Sequence, residues 1–344
     1  MPAPTIMNSS WMTDIGRRPD LEALEVNPPI GYIGDRLYPR TKARFAAGSI
    51  SGMTLPTYAA AQTSRTDGNA PTCTLITNNA VSYNCTEIIS RYGKTASQVM
   101  DTMDLYACDQ QGATGAIRSM MYQLEKARLT AAVTPVSGNY NKITMSATDN
   151  ILDTITSALE AIRLYQGRRV LVMGASTLQK FGRAAALTDF YAGAPLVRRD
   201  SFQDLRERIV TAIQSVFLLD EVLIADESIL NDAGSASVIG NYIIAAVIPH
   251  ENEVNEFSYT LNPELGRTVV YQPYEGLKPY MVESWPNGNT LTNEYTASTR
   301  AAVVEINAYA KRIIDTTSAN WAGGLSVDIT GGTVVTIDGG TVSA

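Results

Sequence analysis

The residue types that carry out acid–base or nucleophilic chemistry are few in this chain and form no known catalytic pattern. There is a single histidine, His250, between Pro249 and Glu251. A histidine-activated serine would depend on it, yet no Gly-x-Ser-x-Gly motif supplies that serine. No second histidine follows at the spacing of a zinc motif. We therefore interpret His250 as an exposed turn residue and predict no catalytic residue.

Two other stretches have the composition of ligand sites but lack the spacing. Five acidic residues lie close together in sequence, namely Asp220, Glu221, Asp226, Glu227 and Asp232. They lack the spacing and final bidentate glutamate of a calcium loop, so a solvated face is favoured. Residues 172–177 (VMGAST) have the pattern of a strand, a glycine and a helix start, which could hold an anion. Without a Gly-Lys-Ser/Thr or Gly-x-Gly-x-x-Gly motif, a tight strand–helix connection is favoured. We predict no cofactor and no metal.

The composition indicates a globular chain that hides part of its surface. Of the 344 residues, 45% are hydrophobic and 18% are charged, against about 25% charged in an average protein. The low charged fraction is typical of surface buried in an assembly, although a secreted β-rich protein would also fit. The net charge of −7 argues against a dedicated nucleic-acid-binding protein, which carries a basic stripe.

The cysteines and apolar runs favour a cytoplasmic chain with no membrane contact. Cys73, Cys85 and Cys108 do not have the spacing of a zinc ribbon or a disulfide framework, so reduced thiols are expected. A Cys73–Cys85 pair facing across a hairpin is the alternative. No signal peptide opens the sequence, and no apolar run approaches the ~20 residues of a membrane span. Synthesis and first folding are therefore expected in the cytoplasm.

The first 95 residues divide into an arm and a long hairpin. Six prolines interrupt residues 1–44, so the arm should be extended apart from one short helical turn at 20–25. Residues 45–95 contain two uncharged stretches on either side of the turn signal at 65–69 (RTDGN). We predict an irregular two-stranded hairpin, which is only marginally stable unless another surface covers it. That surface is either a neighbouring subunit or the chain's own body.

The remainder of the chain alternates between helical and strand patterns. Residues 96–148 should hold one long helix, which Gly112 and Gly115 would weaken and bend. Residues 149–250 indicate an α/β unit, whose first helix Asp149 would cap. Residues 251–302 are typical of antiparallel strands, and 303–315 of a further strand. Residues 316–344 form a Gly/Thr-rich tail with a repeated Thr-Gly-Gly/Asp-Gly-Gly pattern.

The order of these parts resembles the major capsid proteins of tailed bacteriophages, the shell-forming fold shared with encapsulins. The resemblance covers residues 25–315. It is carried by the arm motif 27–39 (NPPIGYIGDRLYP), the returning strand 83–89, the long helix 101–131, and the element order of 171–242. No single motif is specific, and the ordered series carries the resemblance.

The resemblance implies an α+β phage-capsid fold. Its parts would be an N-terminal arm, an extended β-hairpin loop, a peripheral domain with a spine helix, and an α/β axial domain. It implies a structural protein, not an enzyme, that assembles with itself into hexamers and pentamers of an icosahedral virion shell. The shell would enclose double-stranded DNA by weak contacts, with separate scaffolding, portal and decoration proteins as possible partners. The expected assembly contacts are Tyr32, Asp35, Arg36, Tyr38, Arg65, Asp67, Asn69, Arg198 and Arg199.

Two departures from the family are visible. Residues 45–93 contain no lysine, so the lysine–asparagine crosslink that some family members form on this loop is not expected. The arm begins at the first residue, so any scaffolding should come from a separate protein.

Alternatives from other functional classes are an encapsulin-like compartment, a ligand-binding or hydrolytic enzyme built on residues 149–250, and a secreted adhesin.

Overall fold

The structure is a computed structural model. It describes residues 18–24, 26–29, 31–53, 78–95, 105–136, 140–165, 167–183, 202–248, 265–273, 279–287, 292–319 and 321. The helices are α1 (Pro19–Glu22), α2 (Gly34–Leu37), α3 (Leu105–Val133), α4 (Ile151–Ala161), α5 (Ala175–Arg183), α6 (Phe202–Phe217) and a 3-10 turn (Ala308–Ala310). The strands are β1 (Arg40–Ala43), β2 (Ala47–Met53), β3 (Asn78–Asn84), β4 (Thr86–Thr95), β5 (Lys142–Thr144), β6 (Arg168–Gly174), β7 (Glu221–Ala225), β8 (Tyr242–Ile248), β9 (Gly266–Tyr271), β10 (Met281–Asn287), β11 (Thr292–Glu305) and β12 (Lys311–Asp315).

The first sheet is organised around the long strand β11. Its order is β1-β9-β11-β10, and β4 also pairs with β11. The strands β4, β9 and β10 all run antiparallel to β11, which confirms the antiparallel pattern predicted for β9 and β10. β1 joins the edge parallel to β9, with Arg40 opposite Thr268. The strand predicted at 258–262 lies outside the described residues.

The predicted hairpin is confirmed at its base, but residues 86–95, which were included in the hairpin, form β4 of the first sheet. β2 and β3 pair antiparallel from Ala47 opposite Asn84 to Met53 opposite Asn78. Ile50 and Val81 pack against the buried Val269 and Val304 of the first sheet, so the base of the hairpin is anchored to the body. The turn at 65–69 and the rest of 54–77 lie outside the described residues, as does Cys73.

The long helix α3 lies across the first sheet, and its glycines serve close packing there. The helix is continuous through Gly112 and Gly115, where the sequence suggested weakening and a bend. A Cβ at Gly112 would collide with the ring of Tyr295, and one at Gly115 would crowd the ring of Tyr92. Glycine therefore lets the helix approach β11 and β4 closely, a requirement that helix propensity alone does not reveal.

Replacing Gly112 by alanine is expected to destabilise the subunit by about 1–3 kcal/mol, because the added methyl group overpacks the contact with Tyr295. Tyr295 is fully buried and its hydroxyl donates to Asp109 Oδ1 at 2.5 Å, so the ring cannot withdraw. Helix propensity alone predicts the opposite sign, a gain of about 1 kcal/mol.

Gly115→Ala is the matched control for this effect. Tyr92 is 45% exposed, so its ring can yield, and this variant should be neutral or stabilising. Urea unfolding of both variants measures the difference. Equal stability changes at the two positions would contradict the packing explanation.

The second sheet has the order β5-β12-β8-β6-β7, with β6 parallel to β7 and antiparallel to β8. Successive residues of its central strands face opposite sides, as strand geometry requires. Leu171 and Met173 face a core formed with helices α4, α5 and α6, whereas Val170 and Val172 face a core shared with α2 and α3. The strands predicted within 169–173, 222–225 and 242–248 are confirmed.

Two local predictions are corrected by the structure. The cap of α4 is Asn150, whose side chain accepts from Leu152 N at 3.0 Å, whereas Asp149 accepts from Ser146 N at 2.7 Å. The arm forms the predicted turn at α1 but is also helical at α2, where an extended chain was expected. The reason is that Leu37 and Tyr38 are fully buried, and the helical turn directs them into the core.

Candidate assembly site

The arm meets the long helix through a cluster of charges that is buried on the side of the helix and partly exposed on the side of the arm. The cluster consists of Asp35 and Arg40 from the arm and of Glu125 and Arg128 from α3, and we call it the arm junction. Glu125 is 1% exposed and Arg128 is 3% exposed. Buried charges of this kind require partners, and each member of the junction has one on another element.

Glu125 holds the start of α2. Its Oε1 accepts from Ile33 N at 2.7 Å and from Gly34 N at 2.8 Å, so a carboxylate faces the positive end of the short helix. A Cβ at position 34 would collide with Arg128 and Glu125, which explains the glycine. Burial raises the pKa of Glu125, although Arg128 and the two backbone donors act in the opposite direction.

Arg128 connects three elements. Its Nη2 lies 2.5 Å from Asp35 Oδ1 in the arm, and its Nη1 lies 3.7 Å from Glu125 Oε2 on its own helix. Its Nε donates to Thr268 Oγ1 at 2.9 Å, and that hydroxyl donates in turn to the carbonyl of Tyr38 at 2.9 Å. One guanidinium therefore fixes the arm, the long helix and β9 relative to one another.

Asp35 is held by two arginines. Arg40 donates Nε and Nη2 to its two carboxylate oxygens, each at 2.7 Å, and Arg128 approaches from the buried side. Burial alone would raise the pKa of Asp35, but the two guanidinium groups outweigh burial and the pKa lies below its ordinary value.

Asp35 is expected to contribute stability that is lost on acidification. Because its folded pKa is lowered, the contribution is complete above the unfolded pKa of about 3.9 and disappears as the pH falls through the folded pKa. Stability of the native chain should therefore decline more steeply below about pH 4 than stability of Asp35→Asn. Urea midpoints at several pH values measure this, with the exposed Asp153→Asn as the charge control. Parallel pH profiles for Asp35→Asn and the native chain would contradict the assignment.

Tyr38, near the end of the arm motif 27–39, contacts the first sheet. Its side chain is fully buried against Gly266, where a Cβ would collide with its ring. Its hydroxyl donates to Glu305 Oε1 at 3.4 Å, and Glu305 forms an ion pair with the buried Lys311, whose Nζ also donates to Ala131 O at 2.7 Å. Burial raises the pKa of Tyr38 and lowers that of Lys311. This chain of contacts joins the end of β11 to the start of β12.

The neighbouring predicted contacts also lie against the second sheet. Arg36 forms an ion pair with Glu221, which pairs in addition with Arg168 at 2.7 Å. Tyr32 is partly buried, and burial together with the charge of Asp226 raises its pKa to about 12.

Four of the nine predicted assembly contacts are thus brought together around the arm junction, where they contact elements of their own subunit. Their role between subunits remains a prediction. The other five lie outside the described residues, namely Arg65, Asp67, Asn69, Arg198 and Arg199. Sequence reasoning did not assign Glu125 or Arg128 to a site; the available signal was an acid and a base three residues apart in the predicted long helix.

The stretches considered as ligand sites have partners within the chain. Glu227 Oε1 accepts from Ser176 N at 2.8 Å and from Ser176 Oγ at 2.6 Å, so a carboxylate of the chain occupies the helix start considered for an anion. Asp220 accepts from Arg169 N at 2.7 Å, and the exposed Asp232 pairs with Lys126 at 2.9 Å. Within the described ranges, no three His, Cys, Asp or Glu residues group as metal ligands.

Large apolar side chains remain exposed in several places. Phe45 at the base of the hairpin is 74% exposed, and Ile89 and Tyr92 of β4 are about half exposed. Tyr140 and Leu218, which lie just before strands β5 and β7 of the second sheet, are 70% and 75% exposed. Solitary exposed apolar residues are common, but aromatic side chains at this exposure are typical of surfaces that contact another protein.

Among the helices that are described, none is long and apolar enough to span a membrane.

Comparison with known proteins identifies the fold. No family model and no curated protein matches the sequence. A phage-related protein from Bordetella bronchiseptica RB50 has a similar structure, with a TM-score of 0.64 and 12% sequence identity. The similarity covers 89% of this chain and 99% of that one. The two chains therefore share their fold over nearly their whole length.

Other similar structures include a capsid and an encapsulin complex. The capsid of a native GTA particle is 11% identical, with a TM-score of 0.47 over 91% of this chain and 98% of that chain. An encapsulin complex from Synechococcus elongatus PCC 7942 is 10% identical, with a TM-score of 0.47 over 85% and 91%. The mixed α+β fold predicted from the sequence is confirmed, and it is shared with the phage-related protein from Bordetella bronchiseptica.

Proposed function

We propose that the chain is a shell-forming subunit, the major capsid protein of a tailed bacteriophage. It would assemble into hexamers and pentamers of an icosahedral virion shell around double-stranded DNA. The observation that carries the proposal is the fold shared with the phage-related protein of Bordetella over 89% of this chain and 99% of that one. A structural role follows from this fold, and the proposal includes no catalytic step.

The surface of the subunit supports self-assembly. The base of the hairpin packs on the first sheet, and Phe45 and Tyr92 are exposed beside it. The 18% charged fraction leaves little charge to keep separate subunits apart. Interfaces that bury ~2,000–5,000 Å² or more are typical of obligate assemblies, and surfaces of this composition are suited to them.

The arm junction holds the arm in a fixed position on the subunit, as assembly with neighbours requires. It fixes the arm to the long helix and to the first sheet through charged hydrogen bonds, which are stronger and more directional than apolar contacts. We propose the domain division of the resemblance on this frame. Residues 1–44 are the arm, 45–95 the extended loop, 96–148 and 251–302 the peripheral domain, 149–250 the axial domain, 303–315 the return strand and 316–344 the tail.

The charge of the chain fits weak contact with packaged DNA. A net charge of −7 opposes tight, sequence-independent phosphate binding, so a shell of these subunits would not hold its contents firmly. Scaffolding, portal and decoration proteins complete the proposed set of partners.

The direct test is expression of the full chain followed by sedimentation and negative-stain electron microscopy. Closed shells, or sheets and tubes of hexamers, are the expected result, alone or with a co-expressed scaffolding protein. A chain that stays monomeric under both conditions would refute the proposal.

An encapsulin-like compartment is the second candidate, and the similarity to an encapsulin complex favours it. Both candidates predict shells, so the contents decide between them. Shells that package DNA during phage growth support the capsid, whereas shells that co-purify with one enzyme support the compartment.

A further inference from the structure

A lysine amine and a cysteine thiol are held in contact inside the subunit. Lys94 Nζ lies 3.5 Å from Cys108 Sγ and donates to Gln111 Oε1 at 2.7 Å. Lys94 is 8% exposed and Cys108 is 1% exposed. Lys94 is near the end of β4, and Cys108 and Gln111 are in the first turns of α3. The arm junction uses none of these residues.

We propose that Lys94 and Cys108 form an oxidant-dependent covalent nitrogen–sulfur bridge. Hydrogen peroxide first oxidises the Cys108 thiol to a sulfenic acid and is itself reduced to water. The lone pair of Lys94 Nζ then attacks the sulfur, and the sulfenic oxygen leaves with two protons as a second water. The sum is one thiol, one amine and one peroxide giving one sulfenamide and two waters.

The geometry favours this product over the usual fates of a sulfenic acid. A sulfenic acid condenses with a nearby thiol or nitrogen, or is oxidised further. Here the contacting nucleophile is an amine, and Gln111 acts as a positioning residue that keeps it beside the sulfur. Burial excludes bulky thiols such as glutathione, while peroxide is small and uncharged.

Cys85 provides an internal comparison. It is also a buried free thiol, but its Sγ donates to the carbonyl of Val269 at 3.6 Å. A carbonyl oxygen cannot form the bridge. Peroxide should therefore leave Cys85 as a thiol or an oxyacid, while Cys108 is converted to the bridged form.

The bridge would tie the strand that leaves the hairpin to the long helix. A covalent link between β4 and α3 removes conformations from the unfolded chain, so the oxidised subunit should unfold at a higher temperature. This inference concerns the interior of one subunit and does not depend on shell formation.

Tryptic mapping of the full chain after peroxide treatment provides the test. Trypsin normally cleaves after Lys94, and the next basic residue is Arg118. A bridged Lys94 is not cleaved, so a peptide spanning 92–118 should appear that lacks two hydrogen atoms beyond any methionine oxidation. Dithiothreitol should abolish that mass change and restore cleavage after Lys94.

Two variants separate the bridge from general oxidation. Cys108→Ser and Lys94→Arg should both lose the bridged peptide and the increase in unfolding temperature, whereas Cys85→Ser should keep both. Far-UV circular dichroism checks that each variant is folded. If Lys94→Arg does not fold, the result for Cys108→Ser alone tests the bridge. Cys108 recovered only as a thiol, a disulfide or a sulfinic acid, with Lys94 fully cleaved, would overturn the proposal.

Discussion

Replacing Arg128 by methionine is expected to destabilise the subunit by about 3–5 kcal/mol, the largest loss that we expect from a single side chain. The substitution keeps much of the apolar stem but removes the charge that lies between Asp35 and Glu125. Glu125 is then a buried carboxylate without a cationic partner, and Thr268 loses its donor. Chemical unfolding of the purified subunit measures the loss.

Lys126→Met is the matched control, because Lys126 lies in the same helix and pairs with the exposed Asp232. Exposed ion pairs contribute about 0–1 kcal/mol, so this variant should be near the native stability. Adding Glu125→Gln to Arg128→Met should recover about 0.5–3 kcal/mol, since it removes the uncompensated charge. A similar small loss for Arg128→Met and Lys126→Met would show that the arm junction does not stabilise the fold.

Shortening the hairpin is expected to abolish assembly while leaving the subunit folded. Ile50 and Val81 are directly opposite in the β2–β3 ladder. Residues 51–80 can therefore be replaced by an Asn-Gly turn, which joins antiparallel strands at this spacing. The packing of Ile50 and Val81 on the first sheet is kept. Under the proposed function, the removed part contacts neighbouring subunits, so particles should be lost completely in electron micrographs.

Two measurements make this prediction specific. The shortened chain should unfold cooperatively at close to the native midpoint, which distinguishes lost assembly from lost folding. Alanine at the predicted contacts Arg65, Asp67 and Asn69 in the full-length hairpin should reduce the yield of particles without shortening the strands. Normal particles from the shortened chain would contradict the role of the hairpin.

The sequence predicted those elements whose signal is local. Apolar runs bounded by turn residues located β6, β7 and β8, and a helical apolar stripe located α3. Uncharged stretches on either side of a turn signal located the base of the hairpin. The order of these elements along the chain then predicted the fold, which no single motif would have done.

What the sequence did not predict depends on contacts between distant residues. The arm looked extended because its prolines exclude a long helix, but α2 forms because Glu125, which is 91 residues away from Gly34, accepts from its backbone. Gly112 looked like a defect of the helix because the facing ring of Tyr295 comes from β11. Local propensity contains no information on such partners.

At the start of α5, a local sequence pattern suggested a ligand site that a distant residue of the chain fills. A glycine followed by a helix start is typical of an anion site, and the stretch 172–177 has that pattern. The anion that occupies it is the carboxylate of Glu227, 51 residues away from Ser176. Only the pairing of β6 with β7 brings the two together.

The pairing of the first sheet also has a consequence for biosynthesis. Arg40 pairs opposite Thr268, and Thr86 pairs opposite Ala301, so the early strands find their partners only when the last part of the sheet has been made. Ribosomes add about 5–20 residues per second, and contacts of such high order form slowly. Nascent chains on one messenger RNA therefore carry strands whose edges are unpaired, because the rest of the first sheet has not yet been made. Unpaired strand edges promote aggregation, so transient chaperone protection of the early strands β1 to β4 is expected until the chain is released.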